Sequence, residues 1–278
     1  MENQPRPRRT TIAFRRFKKR HADLSTIYWS HLVGARLVEK HLKDVPGDTL
    51  ACTALSIPVK QEQFGFSASD ALSRVPAYLD TSRLHILSVC LAQLESYIKE
   101  MAYLAAARLD PRPQSHGLSP LAAKMASAIL EVDSLTRCLC FAETLFETCL
   151  SPERAKIERA YKLRCATVHT GGYVTRRNVK ELGIANLKLH DQIALSWPQL
   201  KEDMEAVCSL ADKIDRALAS TQVFEIEARR ELDNLRASSA LPPRMTVWSY
   251  LADEGFHLPS KRARAEIEMS VYERPNAS

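Results

Sequence analysis

Between residues 84 and 105 apolar side chains return at alternating steps of three and four: Leu84, Leu87, Leu91, Leu94, Ile98, Met101 and Ala105. That spacing follows one face of an α-helix, whereas a strand would alternate at every second residue. The helix is expected to start at Asp80 or Thr81, either of which can cap it, and to run to about Leu109. Such a stripe must be buried against neighbours, and the rest of the chain offers mostly helices. Only 8 of the 278 residues are Gly, and Ala, Leu, Glu, Lys and Arg abound, which favours helices over turn-dense β architectures. The expected fold class is all-α.

Other helices follow from the same periodicity. Ile27, Tyr28, His31, Leu32, Ala35, Val38 and Leu42 mark one over 24–43. The Pro- and Gly-broken stretch 44–80 follows, with Leu50 to Val59 as a short strand or a buried loop. After a loop at 110–117, Ser119-Pro120 opens a helix to about Glu131. A further helix spans 133–150. Ser151-Pro152-Glu153 repeats the cap, proline and acid start, and Gly171-Gly172 is its stop. A short helical turn and an irregular or hairpin-like segment then fill 173–195, around Leu187, Leu189 and Ile193. A last long helix covers about 198–236, with a break expected near Ser220-Thr221. The resulting division is a flexible basic arm (1–23), an N-terminal helix and irregular segment (24–79), a helical domain (80–237) and an irregular C-terminal tail (238–278).

Charge is unevenly placed. Residues 1–20 hold eight Lys or Arg (Arg6, Arg8, Arg9, Arg15, Arg16, Lys18, Lys19, Arg20) and one acid. Of the total 39 basic and 33 acidic residues, the remainder therefore holds 31 and 32. An arm of this kind suits RNA or DNA phosphates, or is simply solvated. The seven cysteines are odd in number and lack a CxxC pair; Cys138 and Cys140 form a poor zinc spacing, so no metal site is expected. They read as reduced, mostly buried thiols of a cytoplasmic protein. No apolar run reaches the roughly 18 residues of a membrane span, and no secretory signal opens the chain, so no membrane partner is expected. P-loop, GxGxxG, GxSxG and HExxH motifs are absent, which argues against an NTPase, a classical dehydrogenase, an α/β-hydrolase and a zincin.

Candidate chemistry concentrates in Leu163-Arg-Cys-Ala-Thr-Val-His169-Thr-Gly-Gly172. Arg164 offers a permanently charged fork for phosphate, and His169 is the side-chain type that exchanges protons near neutral pH. The pair is a minimal kit for metal-free phosphodiester cleavage. On an ideal helix, however, five residues at about 100° each set them roughly 140° apart. They converge if the helix end distorts, or if a second subunit supplies a matching pair.

This R-x4-H-x-G-G segment, the mid-helix Leu94-Glu95-Ser96-Tyr97 and the closing helix 193–218 together resemble the HEPN superfamily (higher eukaryote and prokaryote nucleotide-binding domains). The branch they look most like is the prokaryotic HEPN ribonucleases of toxin–antitoxin and phage-defence systems. The resemblance covers roughly residues 80–220, and its specific part is the R-x4-H core with the Gly-rich exit. It implies an up-down helical bundle and a cofactor-free, metal-independent endoribonuclease. It also implies a homodimer whose arginines and histidines line one cleft, with RNA as substrate and an antitoxin or other protein as a further partner. His169 would activate the ribose 2′-hydroxyl or protonate the leaving oxygen, and Arg164 would stabilise the charged phosphate. Cys165 stands where the family commonly carries Asn. No Tyr sits two residues after the His. Many relatives are inactive binding modules.

Three further residues are candidate supports. Glu95 can orient Arg164 or His169, or pair with Lys99 four residues on. Tyr161 can stack on a base or pack in the core. Cys165 adjoins Arg164. Arg176 and Arg177 can hold substrate phosphates or be solvated. His31 and His41 read as ordinary amphipathic residues. The alternative to a nuclease is a catalytically silent helical module that binds nucleic acid or protein through its basic arm and C-terminal tail.

Overall fold

The computed structural model describes residues 9–57, 65–110, 134–146, 149–182 and 188–273, with a few positions between 124 and 131. It is an all-α helical bundle; among the described residues the only β pairings are the isolated bridges Leu50 to Ser67 and Tyr173 to Gln192. The elements are α1 (Ile12–Leu42), α2 (Ala51–Ala54), α3 (Ala68–Leu109), α4 (Leu135–Phe146) and α5 (Ser151–Thr170). They continue with α6 (Val179–Leu182), α7 (Trp197–Leu218), α8 (Thr221–Ala237), α9 (Val247–Asp253) and α10 (Lys261–Tyr272). Among the described residues no helix is long and apolar enough to cross a membrane. Most of the helix expected over 119–131 lies outside the described residues, and Lys124, Met125, Ser127 and Ala128 within it are helical; Arg6, Arg8 and Leu187 also lie outside the described residues.

The chain separates into two compact units, each assembled from several segments. The first comprises Met1–Lys19, Gln93–Arg154 and Cys208–Ser278, and the second Arg20–Ala92 and Ala155–Val207. Four long helices, α1, α3, α5 and α7, therefore contribute to both. All seven residues of the α3 stripe are buried, from Leu84 to Ala105.

In the first unit the start of α1 is clamped. Both the backbone N–H and the hydroxyl of Thr11 donate to Asp215 Oδ1, at 2.9 and 2.6 Å, and Ala13 N–H donates to Glu227 Oε1 at 3.2 Å. Two buried carboxylates thus meet the positive end of the helix and satisfy donors that no turn precedes. Phe14 and Phe17 pack beside Tyr97, whose hydroxyl donates to the Ala211 carbonyl at 3.0 Å. The flexible arm expected over 1–23 is therefore helical from Ile12. The periodicity search missed it because its apolar positions are few and its caps lie 204 and 214 residues away.

The tail expected to be irregular also folds. Val247, Leu251, Phe256, Ile267 and Val271 bury against Ile12, Ala228 and Leu232. Ser260 caps α10 by accepting from Ala263 N–H at 3.2 Å, and Trp248 Nε1 donates to Glu268. Each tail helix shows only one or two apolar positions four apart, too short a record to read as a helix.

In the second unit α3 begins twelve residues before the expected cap. Ser67 accepts from Asp70 N–H at 3.1 Å, and Pro76 lies inside the helix. Asp80 instead pairs with Arg83 at 2.7 Å. An interior proline costs on the order of 3 kcal/mol, and the burial of Val75 and Leu79 beside it offsets that. Of the run Leu50 to Val59, expected as a short strand or a buried loop, Pro58 and Val59 lie outside the described residues, and α2 occupies Ala51–Ala54. Tyr28 stacks on Trp197 with ring centroids 4.4 Å apart, and Arg83 bonds the Tyr28 hydroxyl and the Leu195 carbonyl. The break near 220 falls as expected, with Ser220 capping α8 through Val223 N–H at 3.3 Å.

Candidate functional site

The R-x4-H segment closes α5, which stays helical through Thr170. The helix end does not distort, so Arg164 and His169 of one chain remain roughly 140° apart about its axis. Gly171 and Gly172 follow at φ of 63° and 83°, the left-handed region where a Cβ is costly. Gly172 N–H reaches back to the Ala166 carbonyl at 3.2 Å. A Cβ on Gly172 would meet Leu84 Cδ1 at 3.2 Å, so this glycine also permits a close approach to α3.

The exit is then pinned by Asn178, a buried residue that sequence reading passed over. Its Nδ2 donates to the Tyr173 carbonyl at 3.0 Å and to the Thr170 hydroxyl at 3.3 Å. Its Oδ1 accepts from Thr175 N–H at 2.7 Å, and its own N–H donates to Thr175 Oγ1. The Thr170 hydroxyl lies 2.7 Å from both the Ala166 and Tyr173 carbonyls and can donate to either. Backbone bonds from Val174 to Asp191, His190 to Val174 and Ile193 to Gly172 tie the exit to the segment that follows. Its signal was present: an Asn three residues after a Thr, in a turn directly after Gly-Gly, is a side chain suited to bonding local backbone.

Into this frame the structure presents Arg164 and His169 without polar partners among the described residues. The Arg164 guanidinium lies 5.5 Å from the centre of the Tyr161 ring, a cation–π contact that leaves its fork available. Tyr161 thus sits under Arg164, and Cys165 is half-buried beside it. His169 is exposed, as are Arg176 and Arg177 in the turn before Asn178. Three apolar side chains of the helix end, its exit and the segment bonded to that exit also face outward: Val168 at 60% exposure, Tyr173 at 49% and Leu189 at 42%.

One turn before the motif, Arg159 pairs with Asp203 at 2.6 Å. Asp203 is buried, its carboxyl is pushed up by that burial against the pull of Arg159, and its Oδ2 has no partner. It stands in the apolar register Leu200, Asp203, Val207, Leu210 of α7, a placement that marks a buried acid in the sequence alone.

The other predicted site residues go elsewhere. Glu95 belongs to the first unit and pairs with Lys99 at 2.9 Å, its structural alternative. Arg15 turns inward: its Nε and Nη2 are buried without hydrogen bonds, and burial lowers its pKa against the charges of Glu227 and Asp215. Arg16 is exposed and pairs with Glu231 at 3.5 Å, while Lys18, Lys19 and Arg20 are exposed. Of the seven cysteines, Cys52, Cys90 and Cys138 are buried and Cys140 and Cys149 exposed, so fewer are buried than expected. No family model, curated protein or solved structure matches this chain.

Proposed function

We infer that the chain is a HEPN-like, metal-independent endoribonuclease that works as a homodimer. The observation that carries the reading is the undistorted end of α5, which offers an unpaired arginine and an exposed histidine from a turn locked by Asn178. Because one helix directs the two residues to different sides, Arg164 of one copy works with His169 of the partner subunit. The exposed Val168, Tyr173 and Leu189 are apolar area that a second copy would cover.

His169 takes the proton of a ribose 2′-hydroxyl as the oxygen attacks the adjacent phosphorus. The P–O5′ bond breaks, and the leaving oxygen collects a proton. The Arg164 guanidinium holds the charge that grows on the phosphoryl oxygens. The products are a 2′,3′-cyclic phosphate and a 5′-hydroxyl, and DNA, lacking the nucleophile, is not cut. Arg176 and Arg177 lie within the same turn and suit flanking phosphates.

The test is incubation of end-labelled single-stranded RNA with wild type, Arg164→Ala and His169→Ala proteins in excess EDTA. Cleavage by wild type alone, with cyclic-phosphate ends, is expected. Undiminished cleavage by His169→Ala overturns the assignment.

A second reading, a non-catalytic interaction module, draws on the exposed Lys18, Lys19 and Arg20 on one stretch of α1. Salt-sensitive RNA binding without cleavage by wild type would favour it. The C-terminal tail serves it less well, since α9 and α10 bury their apolar faces within the first unit.

A further inference from the structure

The second unit contains a cavity of about 410 Å³ between α1, α2 and the start of α3. Its walls are largely apolar and include Ala35, Val38, Leu55 and Val75, with Gly34 also on the α1 side. A Cβ added at Gly34 would meet nothing within 4 Å, so the space beside this helix is open. The size lies in the range of small-molecule sites, which combine an apolar lining with a few polar groups that fix orientation.

Two polar groups at this cavity lack partners. His31 Nδ1 is buried and makes no hydrogen bond. The contrast with His41 on the same helix is direct, because His41 Nδ1 bonds the Leu37 carbonyl at 2.9 Å. A buried polar atom left unsatisfied costs stability and calls for a partner. Arg74, exposed at the rim, forms no ion pair or hydrogen bond among the described residues; its guanidinium lies 4.8 Å from the centre of the Phe66 ring. The aromatic contact fixes the cation in place and leaves its donors unused.

We propose that this cavity binds a small amphipathic carboxylate, its apolar tail lying along Gly34 and its head meeting Arg74 and His31. The apolar wall selects a hydrocarbon body, the arginine fork matches a carboxylate, and the histidine nitrogen completes the head's hydrogen bonds. A tail of roughly ten carbons suits the volume. The site shares no residue with the α5 motif and does not depend on the ribonuclease reading.

Decanoate and decanol titrated separately into the full chain by calorimetry test the assignment. Decanoate should bind saturably at one site and at least about tenfold more tightly than decanol. Arg74→Gln should weaken decanoate about tenfold and leave decanol unchanged. Gly34→Leu, which projects a side chain into the cavity, should weaken binding of both while circular dichroism stays that of wild type. If that variant does not fold, the Arg74→Gln comparison decides alone. No saturable binding of decanoate, equal affinity for the two probes, or decanoate binding that survives Arg74→Gln undiminished overturns the proposal.

Discussion

The start of α1 and the end of α5 are both rich in basic residues, yet folding treats them in opposite ways. At the start of α1, Thr11, Asp215 and Glu227 are buried, Asp215 accepting from Thr11 and Glu227 from the Ala13 N–H, and Arg15 points inward. At the end of α5, Arg164 rests on an aromatic ring, and His169, Arg176 and Arg177 face solvent. In the first cluster Arg15 and the buried carboxylates are consumed by holding the chain together, while Lys18, Lys19 and Arg20 further along stay exposed. The second is held in place by a buried scaffold, Asn178 and Gly172, but is itself unused by the fold. Charge that is costly to bury needs partners inside the chain, whereas charge left exposed on a rigid turn is available to a ligand.

The largest expected effect of a single change lies in the first cluster. Asp215→Ala strands two buried donors of Thr11 and should cost about 4 kcal/mol, read from the urea midpoint. A loss under about 1 kcal/mol would mean that the clamp does not anchor α1.

The same cluster carries a pH signature. Burial pushes the Glu227 carboxyl from 4.5 up to about 7. The folded state therefore binds this proton more tightly than the unfolded one. Its contribution to stability is complete below about pH 4.5 and is lost as pH rises through about 7. Relative to Glu227→Gln, wild type should lose about 3 kcal/mol over that window. Parallel pH profiles of the two proteins would refute the assignment.

Smaller effects are expected in the scaffold of the second cluster. Asn178→Ala should destabilise the protein by about 2 kcal/mol and lower RNA cleavage, since it releases Tyr173, Thr170 and Thr175 together. Smallest of all, Arg164→Ala and His169→Ala should each shift stability by less than about 0.5 kcal/mol. Thermal melts that fall by many degrees would show that the fold does use these side chains and would erase the contrast.

The legibility of the sequence divides along the same line. The end of α5 could be read because its signals are local. A start at Ser151-Pro152-Glu153 and a stop at Gly171-Gly172 each act within a turn or two of chain, and the α3 stripe from Leu84 to Ala105 is read from local spacing in the same way. The start of α1 could not, because its caps come from Asp215 and Glu227, far along the sequence. The tail helices α9 and α10 were missed for a related reason, their apolar faces being completed only by Ile12, Ala228 and Leu232. Pro76 misled the reading of α3 by suggesting a break where burial of its neighbours sustains the helix. Within the site, Arg164 and His169 were named from their spacing, but Asn178 and Asp203 were not. Their roles depend on which backbone groups and which arginine the fold brings to them.

The most direct test of a site shared between two copies is complementation between Arg164→Ala and His169→Ala proteins. Each is expected to be inactive alone. After mixing and subunit exchange, a heterodimer retains one intact Arg164 facing one intact His169 across the interface. Cleavage should therefore return to roughly a quarter of the wild-type rate at equal total protein, as random pairing of two subunits gives. No recovery, with heterodimers confirmed by mass, would contradict a site assembled from the arginine of one copy and the histidine of the other.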